Sequence, residues 1–204
     1  MPPSANDDDL RAFRSELRAR LIAAREALPP HAHADKCRAI ERLLEPLLDA
    51  LPLETLGFCW PFRAEFDARP LALRAIARGQ RACLPVVAGK DAPLVFREWT
   101  RQSEMMEDRY GIHIPAAGET LRPDAILMPL NAFDEGGYRL GYGGGYFDRT
   151  LAALDPRPTA IGVGFELARV DSIRPQAHDL RMDAIVTEAG VFIPREGRLE
   201  ISER

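Results

Sequence analysis

Leu10, Phe13, Leu17, Leu21 and Leu28 recur at helical spacing across residues 8–28, with Arg11, Arg14, Arg18 and Arg25 set among them. Steps of three and four residues bring side chains to one face of a helix, so this stretch predicts an amphipathic helix with a basic face. Pro29-Pro30 ends it. Cys37, Ile40, Leu43, Leu44, Leu47 and Leu48 then predict a second helix, closed by Pro52, so the chain is expected to open with a helical hairpin.

Beyond the hairpin the period changes. Short apolar runs at residues 56–60, 82–87, 124–130, 160–165, 184–187 and 191–193 predict strands, and 94–99 alternates faces as a more exposed strand does. Helical patterns at 67–78, ending at Gly79, and at 146–154 lie between them. Strands alternating with helices predict a mainly parallel sheet covered on both faces, with ligands at the carboxyl ends of its strands. With no internal repeat or low-complexity linker, residues 1–204 read as one domain, the first eight forming a flexible lead.

Composition narrows the function classes. An apolar fraction of 46% with 28% charged residues describes a globular protein, and a formal charge of −4 argues against a broad electrostatic grip on nucleic acid. Cys37, Cys59 and Cys83 are odd in number, widely spaced and lack a Cys-x-x-Cys pair, so they read as reduced thiols. Residues 1–9 show no leader pattern and no segment approaches the length of a membrane span; the expectation is a cytoplasmic protein without membrane or nucleic-acid partners.

The chemistry concentrates at residues 131–148, NAFDEGGYRLGYGGGYFD, six of which are glycine, between the most apolar strand and a helical pattern. Glycine admits positive φ and close approach, so successive backbone N–H groups can surround a phosphate beside a helix N-terminus. Arg139 would add a permanent charge, and Asp148 a hard oxygen for a magnesium ion. Neither common nucleotide fingerprint is present, and the residues alone leave the ligand class open. A tight structural turn with an Arg139–Asp148 ion pair would fit the same pattern.

The segment LMPLNAFDEGGYRLGYGGGYFDR resembles the signature of the 5-formyltetrahydrofolate cyclo-ligase family, in which a strand is followed by Ala-Phe-Asp, Gly and Arg-Leu-Gly-x-Gly-x-Gly-Tyr-Tyr-Asp-Arg. Arg25-Glu26-Ala27-Leu28, Glu65-Phe66-Asp67, Leu84-Pro85, Tyr110-Gly111-Ile112, His178-Asp179, Asp183 and Val186-Thr187-Glu188 extend the resemblance in order and spacing. It implies a three-layer α/β/α domain and a monomer that uses ATP and magnesium to cyclise 5-formyltetrahydrofolate to 5,10-methenyltetrahydrofolate, through a phosphorylated formyl group.

Position by position, the resemblance assigns ATP binding to Arg139, Leu140, Gly141, Tyr142, Gly143, Gly144, Gly145, Tyr146 and Phe147, with Tyr142 to Tyr146 also facing the folate. Arg139 and Tyr146 are the residues expected at the reacting groups. Arg14 and Arg18 correspond to phosphate contacts, although the family pattern has lysine where Arg14 stands. Trp60 and Glu65 correspond to folate contacts, Asp148 to the magnesium ligand and Asp179 to a second metal-linked aspartate. His178 receives no catalytic role, and His31, His33 and His113 lack the spacing of a zinc site. The alternatives are a non-catalytic nucleotide- or folate-binding paralogue, or a sugar-phosphate isomerase or acyl-CoA enzyme on a similar fold.

Overall fold

Four strands that carry no charged residue form the middle of one sheet. The computed structural model describes residues 5–202, whose elements run α1 (Ala5–Glu26), α2 (Pro30–Asp49), β1 (Thr55–Phe58), α3 (Arg69–Ala77), β2 (Arg81–Val87), β3 (Leu94–Glu98), β4 (Met105–Glu107), β5 (His113–Pro115), β6 (Thr120–Leu121), β7 (Ala125–Pro129), β8 (Ala132–Asp134), β9 (Arg139–Leu140), α4 (Tyr146–Ala153), β10 (Thr159–Val163), β11 (Arg169–Val170), β12 (Ala184–Thr187), β13 (Gly190–Arg195) and β14 (Arg198–Ile201). The nine-stranded sheet has the order β14-β13-β12-β10-β7-β1-β2-β3-β6. Its centre, β12 to β2, is parallel, and antiparallel strands continue it on both sides.

Helices cover both faces because both are apolar. On one face Ile40, Leu44 and Leu48 of α2 and Leu71 and Ala75 of α3 pack with Leu56, Phe58, Leu127, Ile161 and Val186. On the other, Leu151 of α4 joins Cys83, Ile126, Met128, Ala160 and Ile185. These are alternate residues of the same strands, as the pleat requires. The three-layer arrangement with a mainly parallel central sheet is therefore as the sequence predicts.

The first helix begins at Ala5, within the stretch expected to be a flexible lead; residues 1–4 lie outside the described residues. The opening helices follow one another directly, with Pro30 at the first helical position of α2, where its missing N–H is no loss. Leu17 and Leu21 of α1 pack with Ala132, Leu140 and Ile173, against a small sheet ordered β11-β8-β9.

The topology places the site. From β1 the chain moves through β2, β3 and β6 to one edge, then returns to lay β7 on the other side of β1 and proceeds through β10 and β12. Strand order thus reverses between β1 and β7, and loops leaving their carboxyl ends diverge to open a crevice. Residues 59–65 follow β1 and residues 130–145 follow β7. Among the described residues, no helix is long and apolar enough to cross a membrane.

Candidate active site

The glycine-rich loop sits over arginine heads. A Cβ at Gly141 would lie 3.0 Å from Arg139 Nη1, and one at Gly143 would lie 3.2 Å from Arg18 Nη2. Gly143 and Gly145 have φ of 93° and 63°, and Gly145 caps α4 in the left-handed conformation. Gly144 is outside that region; there an added Cβ would lie 2.7 Å from the Tyr146 ring, so loop or ring would have to shift.

α1 supplies the other cations. Arg14, Arg18 and Arg25 are four and seven residues apart and share a stripe of the helix. Arg18 Nε donates to Gly141 O at 2.7 Å. Burial and the neighbouring charge of Arg14 lower the proton affinity of Arg18, a repulsion that a bound anion would relieve. Arg139 is 8% exposed, with a buried Nε that has no hydrogen-bond partner among the described residues. Its Nη2 lies 3.4 Å from Asp148 Oδ2, and its guanidinium lies 5.4 Å from the Phe147 ring centroid.

Arg14 and Asp179, expected at phosphate and metal respectively, meet each other. Arg14 Nη2 lies 2.5 Å from Asp179 Oδ2 and Nη1 lies 3.4 Å from Oδ1. Arg14 also donates to the carbonyl oxygens of Ile173 and Arg174, and Gln176 N–H donates to Asp179 Oδ2. Burial raises the proton affinity of Asp179, but the Arg14 and Gln176 donors outweigh it and hold the carboxyl below its usual range. Asp148 is less committed: beyond Arg139, its Oδ1 accepts Leu180 N–H at 3.2 Å. Both aspartates therefore touch the 176–180 loop.

Glu65 lies across the crevice and is 6% exposed. Its Oε1 accepts the Tyr142 hydroxyl at 2.7 Å, and its Oε2 accepts Phe62 N–H at 3.1 Å. Burial raises its proton affinity, against the pull of Tyr142, Arg25 and Phe62 N–H. Burial and the Glu65 charge push the Tyr142 hydroxyl up in turn. The loop from β7 and the turn from β1 are thus joined by one hydrogen bond. Beneath Glu65, a narrow cleft between Cys59, Phe66, Met128 and Val163 has a volume of about 20 Å³, enough for water.

Other expected residues face elsewhere. Trp60 stacks on His113 of β5 at 5.5 Å between centroids, with the Arg69 guanidinium 4.6 Å from its own centroid. Its ring is engaged within the chain. The Leu140 side chain is buried against α1, and Phe147 packs under the sheet, so either would meet a nucleotide through its backbone. The Tyr146 hydroxyl accepts from Arg109 and lies 3.3 Å from the Tyr110 hydroxyl, while Arg149 spans its ring and donates to Gly144 O at 2.6 Å.

Arg25, Arg109, Tyr110 and Arg149 had no assigned role in the sequence, yet the structure brings them to the loop or the crevice. Arg25 was legible in part, since it continues the Arg14–Arg18 stripe. Arg109 and Tyr110 belong to the turn between β4 and β5, a hairpin with no apolar alternation to announce it. Among the described residues, no group of three or more His, Cys, Asp or Glu is placed to hold a metal.

Fold and site define an α/β enzyme with an arginine-lined glycine loop at the reversal point of a parallel sheet. The chain belongs to the 5-formyltetrahydrofolate cyclo-ligase family, whose sequence profile matches residues 11–188. It is 30% identical over 175 residues to 5-formyltetrahydrofolate cyclo-ligase of Escherichia coli K12, an alignment covering 82% of this chain and 96% of that protein. The solution structure of Aquifex aeolicus 5,10-methenyltetrahydrofolate synthetase superposes with a TM-score of 0.72 at 28% identity, covering 94% of this chain and 98% of the other. The synthetase of Mycoplasma pneumoniae shares the fold, with a TM-score of 0.70 at 22% identity over 86% and 98% of the two chains.

Proposed function

We propose that this enzyme uses ATP to close 5-formyltetrahydrofolate into 5,10-methenyltetrahydrofolate, releasing ADP and phosphate. Family membership supports the folate chemistry. The observation that carries the ATP site is the placement of the Arg18 and Arg139 guanidinium groups directly against Gly143 and Gly141. Arg14 lies close enough to Arg18 to perturb it. Permanent cations beneath a loop rich in backbone N–H groups suit a triphosphate.

In this reading the formyl oxygen attacks the γ-phosphorus; an O–P bond forms and the bond to the ADP oxygen breaks. N10 then attacks the activated formyl carbon, phosphate departs with the former formyl oxygen, and the N10 proton is lost. Both nucleophiles belong to the substrate, so the chain aligns the groups and stabilises charge. Arg139 would face the transferring phosphoryl group and Arg14 and Arg18 the remaining phosphates. Tyr146 would border the reacting groups, its hydroxyl fixed by Arg109 and Tyr110. Glu65 would accept N–H groups of the pterin.

Magnesium fits Asp148, whose Oδ2 has only a 3.4 Å contact with Arg139, and magnesium commonly takes one or two carboxylates with phosphate oxygens and water. When bound, it would neutralise charge on the phosphates. Asp179 fits less well, because Arg14 and Gln176 N–H already occupy its oxygens.

The purified enzyme, given both substrates and magnesium, is expected to release one ADP for each methenyl product, and neither without the other substrate. ADP release independent of folate, or no methenyl absorbance, contradicts the proposal.

A further inference from the structure

Arg25 is 4% exposed, so its charge sits almost wholly inside the protein. Its Nε donates to Arg63 O at 2.9 Å, Nη1 to Leu130 O at 3.3 Å and to Asn131 Oδ1 at 3.1 Å, and Nη2 to the Tyr142 hydroxyl at 3.2 Å. The same Nη2 lies 3.7 Å from Glu65 Oε1. One guanidinium therefore joins the turn after β1, the first residues after β7 and the glycine loop.

The turn that presents Glu65 needs holding. Arg63 and Ala64 have φ of 50° and 56°, the left-handed region that side chains disfavour, in consecutive residues. Glu26, next to Arg25 on α1, pairs with Arg63 through both carboxylate oxygens at 2.8 Å. The last turn of α1 thus grips this segment through its backbone and through a side chain.

Carbonyl oxygens alone would be served by a neutral donor, so the buried charge asks for another reason. Glu65 supplies it. A carboxylate this deeply buried tends to take up a proton, and the protonated acid gives up acceptor capacity that pterin N–H groups require. A permanent cation beside it opposes that change, and the pair is neutral as a whole. Asn131, 2% exposed, fixes the guanidinium from the segment after β7; with its Oδ1 facing Arg25, its amide orientation is set, and its buried Nδ2 has no partner among the described residues.

We propose that Arg25 is a positioning residue that keeps Glu65 ionised and aimed into the folate crevice, with Asn131 holding its guanidinium in place. This rests on the folate reading of Glu65. Groups bearing on that carboxylate are Arg25 of α1, the Tyr142 hydroxyl of the glycine loop, the Cys59 thiol and Phe62 N–H after β1.

The test measures cyclisation with each substrate varied, across pH, in Arg25→Met, Arg25→Lys, Asn131→Leu and Glu65→Gln, with folding checked by circular dichroism. Arg25→Met is expected to raise the folate KM about ten- to a hundredfold, the effect of one charged hydrogen bond, with the ATP KM changed less than about threefold. The acid limb of kcat/KM for folate moves to higher pH, because Glu65 loses the charge that favoured its ionised form. Arg25→Lys restores part of the loss. Arg25→Met combined with Glu65→Gln is no worse than Glu65→Gln alone.

Asn131→Leu, which keeps the charge, gives a smaller rise confined to folate; if Arg25→Met does not fold, this variant and Arg25→Lys decide. An unmoved acid limb in folded Arg25→Met, equal losses for both substrates, or multiplying losses in the double variant overturns the proposal. So does an unchanged folate KM in Asn131→Leu and Arg25→Lys when Arg25→Met is unfolded. Unchanged folate KM in Glu65→Gln overturns the folate reading itself and the proposal with it.

Discussion

Arg14 and Asp179, 165 residues apart, form a two-pronged ion pair with Nη2–Oδ2 at 2.5 Å and Nη1–Oδ1 at 3.4 Å. A guanidinium so engaged presents the fork that also fits a phosphate, so nucleotide binding at Arg14 means exchanging or sharing the aspartate. Arg14→Ala is therefore expected to raise the ATP KM about tenfold or more while the folate KM stays within about threefold. Arg14→Lys should keep much of the activity, since the charge and reach remain. Steady-state titration of each substrate decides; unchanged ATP dependence in folded Arg14→Ala returns Arg14 to a purely structural role.

The same pair sets a pH dependence. Asp179 has its folded pKa depressed, so its contribution to stability is present above the unfolded value of about 3.9 and is lost as pH falls through the lower folded value. The melting-temperature difference between wild type and Asp179→Asn should be steady near neutrality and shrink below about pH 4. A difference that grows on acidification would contradict the assignment.

Asp148→Asn tests the metal site cleanly, because an asparagine Oδ1 can still accept Leu180 N–H while the negative charge disappears. The variant is expected to fold and to lose most magnesium-dependent turnover. Wild-type turnover with an unchanged magnesium requirement would remove Asp148 from the metal.

Gly144→Val places a branched side chain where even a Cβ lies 2.7 Å from the Tyr146 ring, which Arg109, Tyr110 and Arg149 hold. Either the loop or the ring must shift, and calorimetry is expected to show weaker ATP binding with an intact circular dichroism spectrum. Equal nucleotide affinity would mean that the loop tip does not meet the phosphates.

Much of this was legible along the chain, for reasons that differ by element. β7 and β12 are buried on both faces, so their sequences read as unbroken apolar runs, and β12 occupies the predicted residues 184–187. The glycine density after β7 announced a close approach, but the partners approached, Arg18 and Arg139, emerged only in three dimensions. The β4–β5 hairpin was invisible because its strands are only three residues long, too short for an alternation to show. Arg14–Asp179 and Arg25–Glu65 were equally hidden: sequence shows which charges exist, and packing of α1 against distant loops decides which of them meet.

The route of the formyl oxygen tests the central claim most directly. With substrate carrying a heavy-oxygen label in the formyl group, the enzyme, ATP and magnesium are expected to give inorganic phosphate that contains the label, one labelled phosphate for each methenyl product formed. This outcome requires the formyl oxygen to be the nucleophile on the γ-phosphate. Unlabelled phosphate alongside methenyl product, with the heavy oxygen recovered in water, would contradict it.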